Sequence, residues 1–386
     1  MALIEQPIEQ PLVGSLPERS NVARNVATLA LIAVLGAVLY FQRALVSDAL
    51  AEMRTLSIMA LVALGLLATF ERLSRADIMR RLLGSDVSMG RAVTIHDVGT
   101  AVSKGVPLGG ALGTAARWTI VRESGVVPAR FATTLIAYGI ATTFVSWLLP
   151  FIALSVDLTQ RSAQLVDVAI LGGIAAVVAA SALFWLVVLG SERLEGWASR
   201  RICSMWTRLA GRIPSLAGHD PAATVADVRL ELIAIARRPW SLLAKAMASQ
   251  ACGGVILFVT LRSLDVGAEL EATEFFRIFF ITHLLGTFAP TPGGVGVVEA
   301  GMTGALVAGG VDATQALAAV LVFRFLTYVV PIALGAALYV AWRVGRVRLG
   351  ASESAMISAH GPSLDTDISH VSRSSDQRFR RRRDDR

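Results

Sequence analysis

The chain is short of charge. Only 17% of its 386 residues are Asp, Glu, Lys or Arg, against 54% hydrophobic residues and a mean hydropathy of +0.61. A soluble domain averages about 25% charged and about 45–50% apolar residues, so the shortage excludes an ordinary soluble fold and points to a multi-span membrane protein. Lysine is almost missing: of 36 basic residues only Lys104 and Lys245 are not Arg. That bias, beside abundant Ala, fits a GC-rich bacterial genome. Cysteine is nearly missing too. Cys203 and Cys252 have no CxxC partner and no metal-type spacing, which leaves them unpaired and gives no metal site. A basic-then-apolar leader is also lacking, because residues 1–22 carry Glu5, Glu9 and Glu18 among Pro7, Pro11 and Pro17 and read as a polar cytoplasmic tail. No Ser/His/Asp, Cys/His or paired-carboxylate arrangement stands out, so neither an enzyme nor a bound cofactor is expected.

The net charge of +7 and pI of about 10.2 would suggest nucleic-acid binding in a soluble protein. In a membrane chain, basic residues flanking apolar spans hold the cytoplasmic loops inside, and that reading removes nucleic acid as a partner.

A helix needs about 20 apolar residues to cross the hydrocarbon core. Runs near 24–42, 55–71, 130–153, 165–190, 240–263 and 314–343 qualify as full spans. Two further apolar regions, about 92–124 and 275–309, are each split by Pro and Gly into pieces too short to cross. They read as re-entrant hairpins, a layout tolerated where broken backbone lines a protein cavity. The expected fold is therefore an all-α polytopic membrane protein with about six full transmembrane helices and two broken-helix hairpins. The basic segments 71–91 and 191–239 belong in the cytoplasm, whereas 264–274 carries Asp265, Glu269, Glu271 and Glu274 and belongs outside. Both termini then face the cytoplasm of a bacterial inner membrane. The membrane domain spans 23–348, and the Ser-, Asp- and Arg-rich tail 349–386 has too little apolar material to fold.

Sliding the chain against itself by 185 residues places Pro107 on Pro292, Gly109 on Gly294, Gly125 on Gly310 and Val126 on Val311. The flanking spans and both hairpins superpose as well, giving halves of about 23–153 and 165–345. Three full spans separate the hairpins, so the halves are inverted. Inverted repeats with broken helices near mid-membrane are the architecture of many secondary transporters.

In the second hairpin Pro290 and Pro292 end the incoming helix, and Gly293, Gly294 and Gly296 let the backbone turn. The returning helix then starts inside the membrane with free N–H groups, which suit a phosphate or other anion. Pro107, Gly109, Gly110 and Gly113 do the same in the first hairpin, and close helix packing is the other reading of these glycines. The Gly294-Val295-Gly296 run is no dinucleotide fingerprint, since its sixth position is Glu299 and no strand precedes it. Ionisable groups at membrane depth are costly and usually functional. Glu299 and Arg324 are expected to face one cavity, either as an ion pair fixing helix register or as a headgroup site. Arg117 is a counterpart in the first hairpin, with snorkelling as its other reading. Tyr328 and Pro331 line the last span as packing and kink residues, and Tyr328 is kept among the candidate site residues. His283, and His96 beside Asp97, read as hydrogen-bonded helix histidines.

The stretches APTPGGVGVVEAGMTGALVAGGV and ATQALAAVLVFRFLTYVVPIALG resemble the lysylphosphatidylglycerol synthase transmembrane-region family of flippase-like membrane proteins. The resemblance covers about 50–345 and is specific over 285–335. It implies a polytopic domain that moves aminoacylated phospholipid or related lipid-linked substrates between leaflets. Relatives that make lysyl-lipid carry a transferase domain after the membrane part. Here only a tail follows, so lipid synthesis by this chain is not expected. The first hairpin, VPLGGALGTAARW, also lacks the acidic and basic pair many relatives carry after its proline. Two expectations result: a translocase for a lipid or lipid-linked anion, with membrane lipids and an anionic headgroup as partners, or a non-transporting partner of a separate synthase acting through loop 191–239.

Overall fold

A computed structural model describes residues 33–359, except 35, 39, 107–108, 161–163, 192, 194–195, 198–199, 202, 205–220 and 290. The expected amino-terminal tail, most of the carboxyl tail and the centre of loop 191–239 lie outside the described residues. The helices are α1 (Arg43–Met53), α2 (Ile58–Leu83), α3 (Met89–Gly105), α4 (Gly109–Val121), α5 (Pro128–Gln160), α6 (Leu165–Gly190) and α7 (Pro221–Ala236). They continue as α8 (Trp240–Ser263), α9 (Ala272–Phe288), α10 (Val297–Ala308), α11 (Ala313–Arg324) and α12 (Val330–Ala359). Among the described residues there is no strand. The chain divides after Ala336, and the part beyond, to Ala359, is the remainder of α12. That helix passes the boundary expected at 349, because Ala351, Glu353, Ala355 and Met356 are good helix formers and no proline intervenes before Pro362.

Four described helices are long and apolar enough to cross a membrane: Pro128–Gln160, Leu165–Val187, Trp240–Ser263 and Ala313–Arg346. Of the other two spans expected, 24–42 falls largely outside the described residues. The run 55–71 begins at the Ser57 N-cap, whose side chain accepts from the Ala60 N–H, and becomes the apolar half of α2. Beyond Phe70 this helix carries Glu71, Arg72, Arg75 and Asp77, so its length is set by a charged half as well.

Both expected hairpins form. Helices α3 and α4 have 17 and 13 residues, and α9 and α10 have 17 and 12. At 1.5 Å per residue the returning arms reach only about 20 Å, against about 30 Å of hydrocarbon. The α3/α4 arms are close because their contact is made of small residues: a side chain at Gly113 would meet Ser103 Oγ and the Gly99 carbonyl, and one at Gly109 would meet the Ser103 and Val102 carbonyls. The α9/α10 arms close the same way, with Val298 against Gly286 and Gly294.

Helices α2 and α8, equivalent under the 185-residue shift, pack against each other. The Cys252 thiol donates to the Leu67 carbonyl at 3.3 Å, and those two residues are themselves 185 apart. Equivalent positions of an inverted repeat meet only where the two-fold axis passes, so the α2/α8 contact marks that axis. Farther along the pair, Lys245 Nζ lies 2.7 Å from Asp77 Oδ2. One apolar core runs through α2, α5, α8, α9, α10 and α11, filled by Phe275, Phe279 and Phe323 among others. Gln250 ties α8 to α5 by donating to the Thr142 carbonyl at 2.8 Å and accepting from Ser146 Oγ at 3.1 Å. By contrast α6 is only 6% buried across its apolar window, which suits a lipid-facing span.

The α3/α4 contact gives a discriminating pair of substitutions. Gly113→Leu should lower thermal stability in detergent by about 1–3 kcal/mol through overpacking. Gly110→Ala, which would meet nothing within 4 Å, should stay within about 0.5 kcal/mol of wild type.

Candidate functional site

The turn of the second hairpin is a short 3-10 segment, Pro292–Gly294, in which Gly293 has φ 63° and Gly294 φ 71°. Positive φ alone favours glycine. At Gly293 space decides as well, since an added Cβ would strike the Tyr328 ring. Gly296, at φ 83°, caps α10, and its N–H donates to Glu299 Oε2 at 2.7 Å. Glu299 stands at the third helical position, where a carboxylate reaches back to an orphan N–H and meets the positive end of the helix. The helix start expected to attract an external anion is thus answered from within the chain.

Arg324 completes the arrangement from α11. Its Nε donates to Glu299 Oε1 at 2.6 Å and its Nη2 to the Gly293 carbonyl at 2.9 Å. The guanidinium also lies 4.6 Å over the Tyr328 ring, and the residue is only 7% exposed. Directly after Arg324 the span widens into a π turn, Phe325–Val329, a distortion frequent at functional sites. In a regular helix the Thr327 carbonyl would accept from residue 331, which is a proline and has no N–H. Lys104 Nζ donates to that carbonyl instead, at 2.7 Å. In return Tyr328 Oη donates to the Lys104 carbonyl at 3.3 Å, one of the last carbonyls of α3 and so free of an intrahelical partner. The tip of the first hairpin is therefore tied to the last span at the turn of the second.

A second set of charges lies between α2, α3, α4 and α5. Arg72 pairs with Asp97 at 3.3 Å, and Arg75 with Glu71 at 2.8 Å. Arg75 also reaches the Tyr138 side chain, whose ring meets His96 edge-on at 6.5 Å. The Arg117 side chain crosses Gly99, filling the space where a Cβ would stand. The two sets are electrically connected, for Lys104 lies within reach of Arg75, Glu71 and Arg324, and His283 within reach of Arg75, Lys104 and Arg324. His283 itself stacks on Phe279 at 5.6 Å. Among the described residues no His, Cys, Asp and Glu cluster could hold a metal ion. Two cavities of about 240 Å³ lie elsewhere, one beside Arg277 and Glu274, the other beside Arg238 and Lys245.

Of the candidate residues, the fold gathers Gly293, Glu299, Arg324 and Tyr328 at one place and leaves Gly294 and Gly296 shaping the turn. Gly109 and Gly113 face α3, where they serve helix packing, and Gly110 faces open space. Pro107 and Pro290 lie outside the described residues, and for Pro292 only the backbone is described. Lys104, Glu71, Arg75 and Tyr138 were not anticipated. One signal for Lys104 was present, its being one of two lysines among so many arginines.

The family profile described as "Lysylphosphatidylglycerol synthase TM region" matches residues 25–335. The chain belongs to this family. No curated protein matches it over its length. In this member of the lysylphosphatidylglycerol synthase TM region family, every residue of the Arg324 and Lys104 assembly falls within the matched stretch.

The contacts make the Glu299–Arg324 pair directional. Glu299 must accept from an N–H and Arg324 must donate to a carbonyl, so exchanging the two charges places each beside backbone of the wrong polarity. Arg324→Met should destabilise the protein by about 3–5 kcal/mol, as expected when one partner of a buried pair is removed. The swap Glu299→Arg with Arg324→Glu should not restore the melting temperature. Full rescue by the swap would show a pair that acts through its charges alone.

Proposed function

We propose that the chain is a translocase that carries an anionic lipid or lipid-linked headgroup across a bacterial inner membrane, with both termini on the cytoplasmic side. Family membership supports a role with membrane lipids. The observation that carries the finer reading is the meeting of two inverted broken-helix hairpins around the cations Lys104, Arg75 and Arg324. Cations held between helices attract a phosphate, and broken backbone at membrane depth belongs where a cavity opens.

The geometry suggests how release is coupled to movement. Lys104 is bonded to a neutral carbonyl, a contact that an entering phosphate outcompetes, because an anionic acceptor adds charge–charge attraction to the ammonium's hydrogen bond. Loss of the Lys104 to Thr327 bond unties the first hairpin from the last span. Each half is then free to rock, exposing the site first to one leaflet and then to the other. Glu299 keeps Arg324 oriented meanwhile, so the turn survives the motion.

The test is leaflet exchange of labelled phospholipids and lipid-linked sugars in liposomes holding the purified protein. Wild type should accelerate exchange of at least one of them. Lys104→Met should slow it about tenfold or more, the worth of one charge-assisted contact, while Lys245→Met, remote from the hairpins, should leave it within about twofold. Absence of exchange for every labelled lipid contradicts the proposal and leaves the partner role for loop 191–239, which co-purification with a synthase would reveal.

A further inference from the structure

The cavity between α2, α7 and α8 is separate from the hairpin crossing and has no part in the transport steps above. Its volume of about 240 Å³ falls below the roughly 300–1,000 Å³ of a site that encloses a whole drug-sized ligand, and suits one headgroup. Ile78 and Leu242 give it apolar walls, while Arg81, Arg238, Ser241 and Lys245 give it polar ones. Cations outnumber acids here. Asp77 alone takes Arg80 at 2.9 Å, Arg81 at 2.9 Å and Lys245 at 2.7 Å. Lys245 is spent on that contact and cancels the carboxylate. Arg81 hydrogen-bonds there through Nε only, on a side chain 55% exposed, and keeps the terminal nitrogens of its guanidinium. Glu231 of α7 is held by Arg130 at 3.2 Å. Arg238 is exposed and, among the described residues, has no carboxylate within 4.0 Å.

The depth of this cavity follows from the repeat. The Leu67–Cys252 contact marks the axis of the inverted halves, and such an axis lies in the plane of the membrane, at mid-depth. Counted from there at 1.5 Å per residue, Asp77 lies about 15 Å away along α2 and Arg81 about 21 Å. On α8, Ser241 lies about 17 Å away and Trp240 about 18 Å. The hydrocarbon ends about 15 Å from mid-depth and the headgroups about 20–22 Å. Arg81 and Ser241 therefore stand in the headgroup layer, and Trp240, 78% exposed, sits where interfacial tryptophans anchor a span. Phe70 precedes Arg81 by eleven residues, which returns it to the same face of α2, and it is exposed on the hydrocarbon side.

We propose that this cavity binds an anionic phospholipid of the leaflet on the side of the basic segments 71–91 and 191–239, as a resident and not as cargo. Its phosphate lies between Arg81 and Arg238, the Ser241 hydroxyl donates to it, and an acyl chain runs over Phe70. Basic pockets between spans at the inner surface suit such headgroups. A zwitterionic lipid offers the same phosphate, but its ammonium finds no spare carboxylate among the cavity's residues, so the site selects for net negative charge. The bound lipid joins the end of α2 to the turn between α7 and α8, whether or not the chain transports.

The reporter is Ala234→Cys, an exposed position on the cavity wall, in the full chain with Cys203 and Cys252 replaced. The delipidated protein is held in an uncharged maltoside detergent, and the rate of its reaction with an uncharged thiol reagent is followed as lipid is added. Phosphatidylglycerol should slow the reaction at about 30-fold lower concentration than phosphatidylethanolamine with the same chains, on the worth of two arginines beside an anionic headgroup. Arg81→Gln and Arg238→Gln should each cut that preference to about fivefold, and Arg238→Lys should retain most of it. Lys104→Met should leave the protection as in wild type, which tells this lipid from one held at the hairpin crossing. Equal protection by the two lipids overturns the inference, and so does equal protection by soluble glycerol phosphate. A preference untouched by both Gln variants, or one lost in Lys104→Met, overturns it as well. Arg81→Gln removes a partner of Asp77; if that variant fails to fold, Arg238→Gln decides, since it breaks no ion pair among the described residues.

Discussion

Much of the membrane-embedded architecture turns on one guanidinium. Arg324 holds a carboxylate with one edge and a backbone carbonyl with another, under an aromatic ring, almost wholly out of solvent. Each acceptor belongs to the turn of the second hairpin, so the last span and the broken helix are fixed as one piece. A buried ion pair on its own is weak evidence for stability, because desolvation offsets attraction. This pair differs in that its spare hydrogen-bonding capacity is also used. Glu299 answers the Gly296 N–H, and Arg324 answers the Gly293 carbonyl. Backbone that would otherwise be orphaned at membrane depth is satisfied by the same two side chains.

The π turn that follows Arg324 extends the constraint to the other half of the molecule. Pro331 deprives the Thr327 carbonyl of its helical donor, and Lys104 takes that place from the tip of the first hairpin. A lysine bonded to a neutral carbonyl is a weaker tie than an ion pair. The two halves are thus joined firmly along the α2/α8 axis and loosely at the hairpin crossing, which is the distribution of strength that a rocking motion requires.

Much of this was legible in the sequence. Broken helices announce themselves through Pro and Gly at matching positions in apolar runs, and Glu299 and Arg324 stand out because almost nothing else in those runs is charged. The inverted repeat was readable as a shift of 185 and reappears as the Leu67–Cys252 contact. Other features were hidden for physical reasons. Glu71, Arg72 and Arg75 read as loop charges, because a linear sequence does not say which face of α2 turns inward, and all three pair within or across helices at the site. Lys104 sits beside Ser103 at a hairpin tip and resembles an ordinary loop residue. Its acceptor is a carbonyl that Pro331, more than 200 residues later, leaves without an α-helical donor. Gly109 and Gly113 show the converse: glycine at a break suits both ligand approach and helix packing, and only the α3 contact separates the two.

The account's central claim is that the hairpin crossing opens alternately to the two sides of the membrane. Val295 packs against the Tyr328 cluster at that crossing and offers a reporter. With Cys203 and Cys252 replaced, Val295→Cys in sealed vesicles of each orientation should react with a membrane-impermeant thiol reagent from either side. Reaction from one side only, whatever lipid is present, would contradict the claim.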